Sequence, residues 1–126
     1  MLLRLSLIAL AGAAGTLARY GIQHQAAIRA WSPVTGTLLV NLVGCLAFGL
    51  AWGALHQRDL LVGDLRLVLL TGFLGAFTTF SAFIADSTSM ARSGDHVLAA
   101  CNVVGQVVFG ALLLGIGVLI ARTTLT

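Results

Sequence analysis

The polar side chains of this sequence sit where a water-soluble catalytic site would not put them. Thr37 and Asn41 lie one helical turn apart inside a long apolar run, and Asn102 with Gln106 repeats that i, i+4 spacing in another. Each pair projects from one face of its helix. Between them comes Gly72-Phe-Leu-Gly75-Ala-Phe-Thr78-Thr79-Phe80-Ser81-Ala-Phe83, with two glycines followed by adjacent β-branched hydroxyl residues. Such a run weakens a helix and frees backbone carbonyls, which is tolerated at membrane depth only inside protein or beside a cavity. Phe80 and Phe83 share a helix face with Ser81 between them. The edge of an aromatic ring is positive, so it faces an anion without a full charge, whereas a Lys or Arg there would hold a small anion too tightly to release it. Arg19 is the strongly positive group nearest membrane depth. Taken singly, each feature also has a structural reading. Asn41 serves as interhelical glue, Thr and Ser bond back to the preceding turn, and Phe faces lipid. Together they outweigh those readings, because polar groups inside a membrane are expensive.

Four apolar elements carry these residues. The chain of 126 residues is 59% hydrophobic and 9% charged, with a mean hydropathy of +1.03. A bilayer core of about 30 Å needs roughly 20 apolar residues of helix. The stretches Leu2–Ile22, Thr35–Leu55, Leu65–Ala85 and Val97–Ile120 meet that length. The sequence therefore predicts an all-α membrane protein, a single four-helix transmembrane domain over 1–126 with loops at His24–Pro33, His56–Asp64 and Asp86–His96. The first run resembles a signal peptide in composition, but Gly12 and Gly15 open a pattern that continues through Arg19 and Tyr20, so it reads as an uncleaved helix. Tyr20, Trp31 and Trp52 fall near span ends, where amphipathic rings favour the headgroup region.

The charge of +3 comes from seven Arg and four Asp with no Lys, scattered singly between the spans, which gives no basic stripe for nucleic acid. Cys45 and Cys101 are isolated in apolar stretches, and His24, His56 and His96 occupy three separate segments, so no metal or redox spacing is present. Arg4, Arg58, Arg66 and Arg122 share one side of the membrane, while Arg19, Arg29 and Arg92 lie on or near the other. A four-to-three split leaves orientation nearly undecided, so copies inserting both ways and copies in one fixed orientation are equally open. Fifteen glycines include Ala11-x-x-x-Gly15, Gly49-x-x-x-Gly53 and Gly117-x-x-x-Ala121, the spacing of closely packed membrane helices. Four helices enclose little volume, so a polar path calls for an oligomer.

Three segments, Gly12-Ala-Ala-Gly15-Thr-Leu-Ala-Arg19-Tyr20, Gly36-Thr37-Leu-Leu-Val-Asn41-Leu-Val-Gly44 and the Gly72–Phe83 run, together resemble the Fluc (CrcB) family of fluoride channels, in order across all four spans. That resemblance implies a third helix broken near the membrane centre and an antiparallel, dual-topology homodimer with two pores along the subunit interface. It implies a structural sodium ion at the dimer axis, held by the backbone carbonyls of Gly75 and Thr78 from each subunit. Phe80 and Phe83 match the phenylalanines that line the fluoride path, Asn41 the Asn beside them, and Arg19 the Arg near the vestibule, while Thr37, Thr79, Ser81 and Gln106 complete the polar lining. Two departures stand out on the fourth span: Gln106 replaces a smaller Ser or Asn, and Asn102 stands where several members have Tyr. Asp86 replaces the commoner Glu after the third motif and is assigned no role.

The implied function is passive export of fluoride across a prokaryotic plasma membrane, the inner membrane if the cell is Gram-negative. An interior-negative potential of about 100 mV is worth roughly 2.3 kcal/mol per charge, enough to hold internal fluoride roughly 50-fold below the outside level. A small multidrug exporter needs an embedded carboxylate, and the first three spans offer none before Asp86. A structural membrane subunit would also satisfy the glycine motifs, and ion flux separates it from a channel. No nucleophile, base and orienting group converge as an enzyme requires.

Overall fold

The computed structural model describes residues 1–29, 31–57 and 64–124. Arg58 and most of the loop expected at His56–Asp64 lie outside them. Among the described residues, four helices are long and apolar enough to cross a membrane: Leu2–Ile28, Val34–Leu55, Asp64–Arg92 and His96–Thr124. The first span is helix α1 (Leu2–Ile28) and the second α2 (Pro33–Gln57), whose first residue is a proline that needs no N–H partner there. The fourth span is α6 (His96–Thr124). Large apolar side chains such as Leu10, Leu17, Val104, Leu112 and Leu119 are exposed along their outer faces, which suits lipid rather than water.

The helices are longer than the apolar stretches that announce them. α1 runs on through His24, so Arg19 sits in its interior, and the segment from Asp86 to Arg92 is helical instead of a loop. Hydropathy reports the solvent around a helix, not where its hydrogen bonds stop. The fourth span, at 29 residues and about 1.5 Å each, is about 43 Å long and outreaches a hydrocarbon core of about 30 Å. What stops the helix before α6 is Gly94. Its φ of +92° lets the Asp95 N–H reach the Met90 carbonyl at 3.0 Å and its own N–H reach Ala91 at 3.3 Å, a Schellman cap.

The third span is assembled from pieces. A helical turn α3 (Asp64–Arg66) leads into a π-helical stretch, Leu67–Leu74, then a turn α4 (Gly75–Phe77). Helix resumes as α5 (Phe80–Arg92). Gly75 keeps ordinary helical angles, and the break falls at Thr78 (φ −80°, ψ 158°) and Thr79 (φ −145°, ψ 105°), both extended. Thr78 terminates the upper piece by aiming its N–H and its hydroxyl at the Leu74 carbonyl, at 3.1 and 3.0 Å. Thr79 starts the lower one as its N-cap, its hydroxyl accepting from Ala82 N at 3.3 Å.

The small-residue motifs mark the close contacts. α2 and α6 pack along much of their length, and a Cβ added at Gly49 would run into the Leu114 carbonyl, one at Gly117 into the Leu46 carbonyl. Gly15 meets the Phe73 carbonyl in the same way, which docks α1 against the π-helical stretch. Charged residues at span ends meet across helices: Arg4 pairs with Asp64 at 2.9 Å and the Arg66 guanidinium lies 4.4 Å from the centre of the Trp52 ring. The Arg4–Asp64 pair is half-exposed and contributes little to stability.

Candidate functional site

The break in the third span is where the polar residues gather. Thr78 and Thr79 leave backbone groups that neither flanking helix satisfies, and side chains from other spans meet them. Asn41 on α2 does most of this. Its Oδ1 accepts from Thr79 N at 2.9 Å, and its Nδ2 donates to the Thr79 carbonyl at 3.2 Å and to Gln106 Oε1 at 2.8 Å. Gln106 on α6 donates in turn to Asn102 Oδ1 at 3.0 Å, and Asn102 Nδ2 donates to Ser87 Oγ at 2.9 Å. Ser87 ends the chain by donating to the Phe83 carbonyl at 2.8 Å. A continuous series of hydrogen bonds thus runs from the helix break, across to the fourth span, and back to the turn that carries Phe83. Thr79, Ser87, Asn102 and Gln106 are buried. Satisfying them mutually is what makes such a network acceptable in an apolar interior.

Beside this series is a cavity of about 370 Å³ lined by Asn41, Thr78, Phe80, Phe83 and Gln106 together with apolar residues of α2 and α6. The Phe80 and Phe83 rings are 5.7 Å apart and tilted by 54°, so their edges and faces are presented at different angles. Phe83 is buried at 6% exposure, whereas Phe80 is 75% exposed at the open side of the cavity. The Thr79 and Ser81 hydroxyls are 3.4 Å apart at the start of α5. Among the described residues no carboxylate lines the cavity, whose walls are mostly apolar with a few neutral polar groups.

Of the residues singled out from the sequence, Asn41, Thr78, Phe80, Phe83 and Gln106 meet at the cavity, with Thr79 hydrogen-bonded to Asn41 and Ser81 to Thr79. Thr37 is buried one turn before Asn41 and takes no part in the hydrogen-bond series. Arg19 reaches the break from α1, its Nη1 3.5 Å from the Thr78 carbonyl, the long end of hydrogen-bond range. Gly75 is exposed, and a Cβ there would touch only the Leu70 carbonyl at 3.5 Å, so this side of the break is open in the single chain. Ser87 was passed over in the sequence, although Phe80, Phe83 and Ser87 recur at helical spacing on one stripe of α5 and that period is a usable signal. One oxygen of Asp86, Oδ2, is buried without a hydrogen-bond partner among the described residues.

The comparisons with known proteins fit this arrangement. The family described as CrcB-like protein, Camphor Resistance (CrcB), matches residues 6–118. A protein of Nitratidesulfovibrio vulgaris strain Miyazaki F, named fluoride-specific ion channel FluC, is 47% identical over 116 residues, covering 90% of this chain and 93% of its own. Proteins of the same name from Nitrosococcus oceani and Solidesulfovibrio magneticus are 40% and 44% identical, over 94% and 97% of this chain and 96% and 98% of their own. With the family matched across all four spans and relatives aligned nearly end to end, the chain belongs to the CrcB-like family.

Proposed function

We propose that this chain is a multi-pass channel of a prokaryotic plasma membrane that passes fluoride passively and so lowers its concentration in the cell. It is a transport protein and not an enzyme. The observation that carries this is the cavity where Phe80, Phe83, Asn41 and Gln106 meet inside a membrane-spanning bundle, and the names of the relatives support the choice of ion. A small hard anion leaving water needs donors in place of its hydration. Amide N–H groups, the Thr79 and Ser81 hydroxyls and aromatic edges supply partial positive charge, weak enough that the ion leaves again. Among the described residues no fixed cation lines the cavity, and Arg19, which reaches the carbonyl of the lining residue Thr78, adds electrostatic attraction from outside it.

The working unit of this proposal is an antiparallel homodimer. Phe80, an aromatic ring three-quarters exposed on the open side of the cavity, is supporting evidence, since a second copy would cover it and close the pathway. The dimer axis would then pass near the break in the third span. There the Thr78 carbonyl, turned out of the helix by its ψ of 158°, and the uncovered Gly75 suit a structural sodium ion held by backbone oxygens of both copies. The ion would tie the two breaks together and take up free lone pairs of their carbonyls. The hydrogen bond that Arg19 makes to the Thr78 carbonyl uses one of two lone pairs, so it leaves that oxygen able to take a cation.

Efflux of fluoride from liposomes containing only the purified protein, followed with a fluoride electrode under a potassium-valinomycin potential, tests the reading. Rapid fluoride release with chloride retained is the expected result. Vesicles that hold their fluoride would overturn it.

A further inference from the structure

The amide series beside the cavity has a direction, and both of its ends impose the same one. At the helix break, Thr79 N–H can only donate, so Asn41 must turn Oδ1 towards it and Nδ2 towards Gln106. At the other end, the single hydrogen of the Ser87 hydroxyl is spent on the Phe83 carbonyl at 2.8 Å. Only a lone pair is left for Asn102, which therefore presents Nδ2 to Ser87 and Oδ1 to Gln106. Gln106, between the two, has no choice: Oε1 faces Asn41 and Nε2 faces Asn102. Each Nε2 carries two hydrogens, and one is used on Asn102. The second has no partner among the described residues, and Gln106 lines the cavity with Phe80 and Phe83.

We propose that Ser87, a buried hydroxyl outside the cavity lining, is a positioning residue that sets the donor polarity of this series and so keeps an amide hydrogen of Gln106, not its carbonyl, available to the anion. The proposal rests on the fluoride-channel reading. Without the Ser87 lone pair, Asn102 loses the acceptor of its nitrogen, and its amide is oriented only by the bond from Gln106 Nε2. Both rotamers of its amide then become accessible, and the Gln106 amide is held from one end only. An anion passing a Gln that spends part of its time carbonyl-outward meets a repulsive dipole. The requirement is for a side-chain oxygen that donates to the carbonyl one turn back and accepts from Asn102. Thr meets it as Ser does, since its hydroxyl reaches the same carbonyl in a helix, and Ala does not.

The test uses the full-length protein in liposomes. Ser87→Ala should slow fluoride efflux about tenfold, the order of one hydrogen bond to a charged group, while eluting from size exclusion as the parental species does. Ser87→Thr should restore efflux to within about twofold of the parent. Against a Gln106→Met background, slow in itself, adding Ser87→Ala should cause no further loss, because the effect is transmitted through the amide that Met lacks. Multiplying losses would mean that Ser87 acts by packing, and they would overturn the proposal. Parental efflux from Ser87→Ala, or a Ser87→Thr protein as slow as Ser87→Ala, overturns it equally. Should Ser87→Ala not elute as the parent does, Asn102→Leu, which cuts the series at its next member, carries the same test with the same outcomes. A parent that passes no fluoride overturns the channel reading itself, whereas a conducting parent with unaffected variants overturns only the role of Ser87.

Discussion

In the proposed channel, Asn41 and the two phenylalanines each combine a structural role with one in transport. Asn41 makes three hydrogen bonds, two of them to the backbone of Thr79, and gives the Thr79 N–H the partner that the break took away. Leu at this position keeps the volume but leaves the buried Thr79 N–H unpaired, at a cost of about 1–3 kcal/mol, and the Thr79 carbonyl with only the long bond from Phe83 N at 3.5 Å. Asn41→Leu is therefore expected to lower the thermal stability of the detergent-solubilised protein and to abolish fluoride efflux, and a variant as stable and as active as the parent would show that the break holds itself. Phe80 and Phe83 separate more cleanly into packing and chemistry. Ile preserves most of the apolar bulk and has no positive edge, so Phe83→Ile should lose only about 1–2 kcal/mol of stability through imperfect refilling but most of its fluoride flux. Phe80→Ile should keep its stability in the single chain, where the ring is 75% exposed, and lose flux all the same. Stopped-flow light scattering or electrode traces that match the parent for both variants would remove the ring edges from the pathway.

At the scale of elements, the third span shows that a break is built as deliberately as a helix. Thr78 closes one piece through Leu74 and Thr79 opens the next through Ala82, so two adjacent threonines make a C-terminus and an N-cap back to back. Thr78→Ser keeps both the hydroxyl and the carbonyl and should be mild. Thr79→Pro removes the N–H that Asn41 accepts, together with the capping hydroxyl, and should destroy both stability and flux. Equal behaviour of the two variants in liposome efflux would contradict this account. The glycines make an independent test of packing. Gly49→Ala would place a methyl group on the Leu114 carbonyl and force α2 from α6, at a cost of about 3 kcal/mol. Gly21→Ala, with nothing within 4 Å of its new methyl, should be neutral or stabilising by up to about 1 kcal/mol. Thermal unfolding read through Trp31 and Trp52 fluorescence distinguishes these two outcomes.

For the whole molecule, the weak bias of charge at the two ends is the quantity with consequences. Arg4, Arg66 and Arg122 mark one end of the bundle and Arg29 and Arg92 the other, with Arg4 neutralised in part by Asp64. A chain so evenly balanced is expected to insert in both orientations. A C-terminal tag should accordingly be labelled from either side of the native membrane, and labelling from one side only would exclude the antiparallel dimer. If each pathway also takes residues from both copies, co-reconstituting Phe83→Ile chains with parental chains should give a graded loss of flux. An all-or-none loss would place each pathway within one chain.

Much of this was legible in the residue order, for physical reasons. The spans follow from the length of apolar runs because a bilayer imposes a thickness, and the close contacts at Gly49, Gly117 and Gly15 follow from small-residue spacing because lipid offers helices no other reason to approach. The pairs Thr37 with Asn41 and Asn102 with Gln106 declare a shared face through the helical period alone. Local sequence could not decide where a helix stops, since backbone hydrogen bonding continues through polar residues such as Asp86–Arg92 until Gly94 permits a cap. Nor could it decide which partners the polar groups take. Asn41 and Gln106 are 65 residues apart in sequence, and only the packing of α2 against α6 brings them to 2.8 Å. Ser87 shows the same limit: the helical period places it on the stripe of Phe80 and Phe83, but its partner Asn102, on another helix, is found only in the fold.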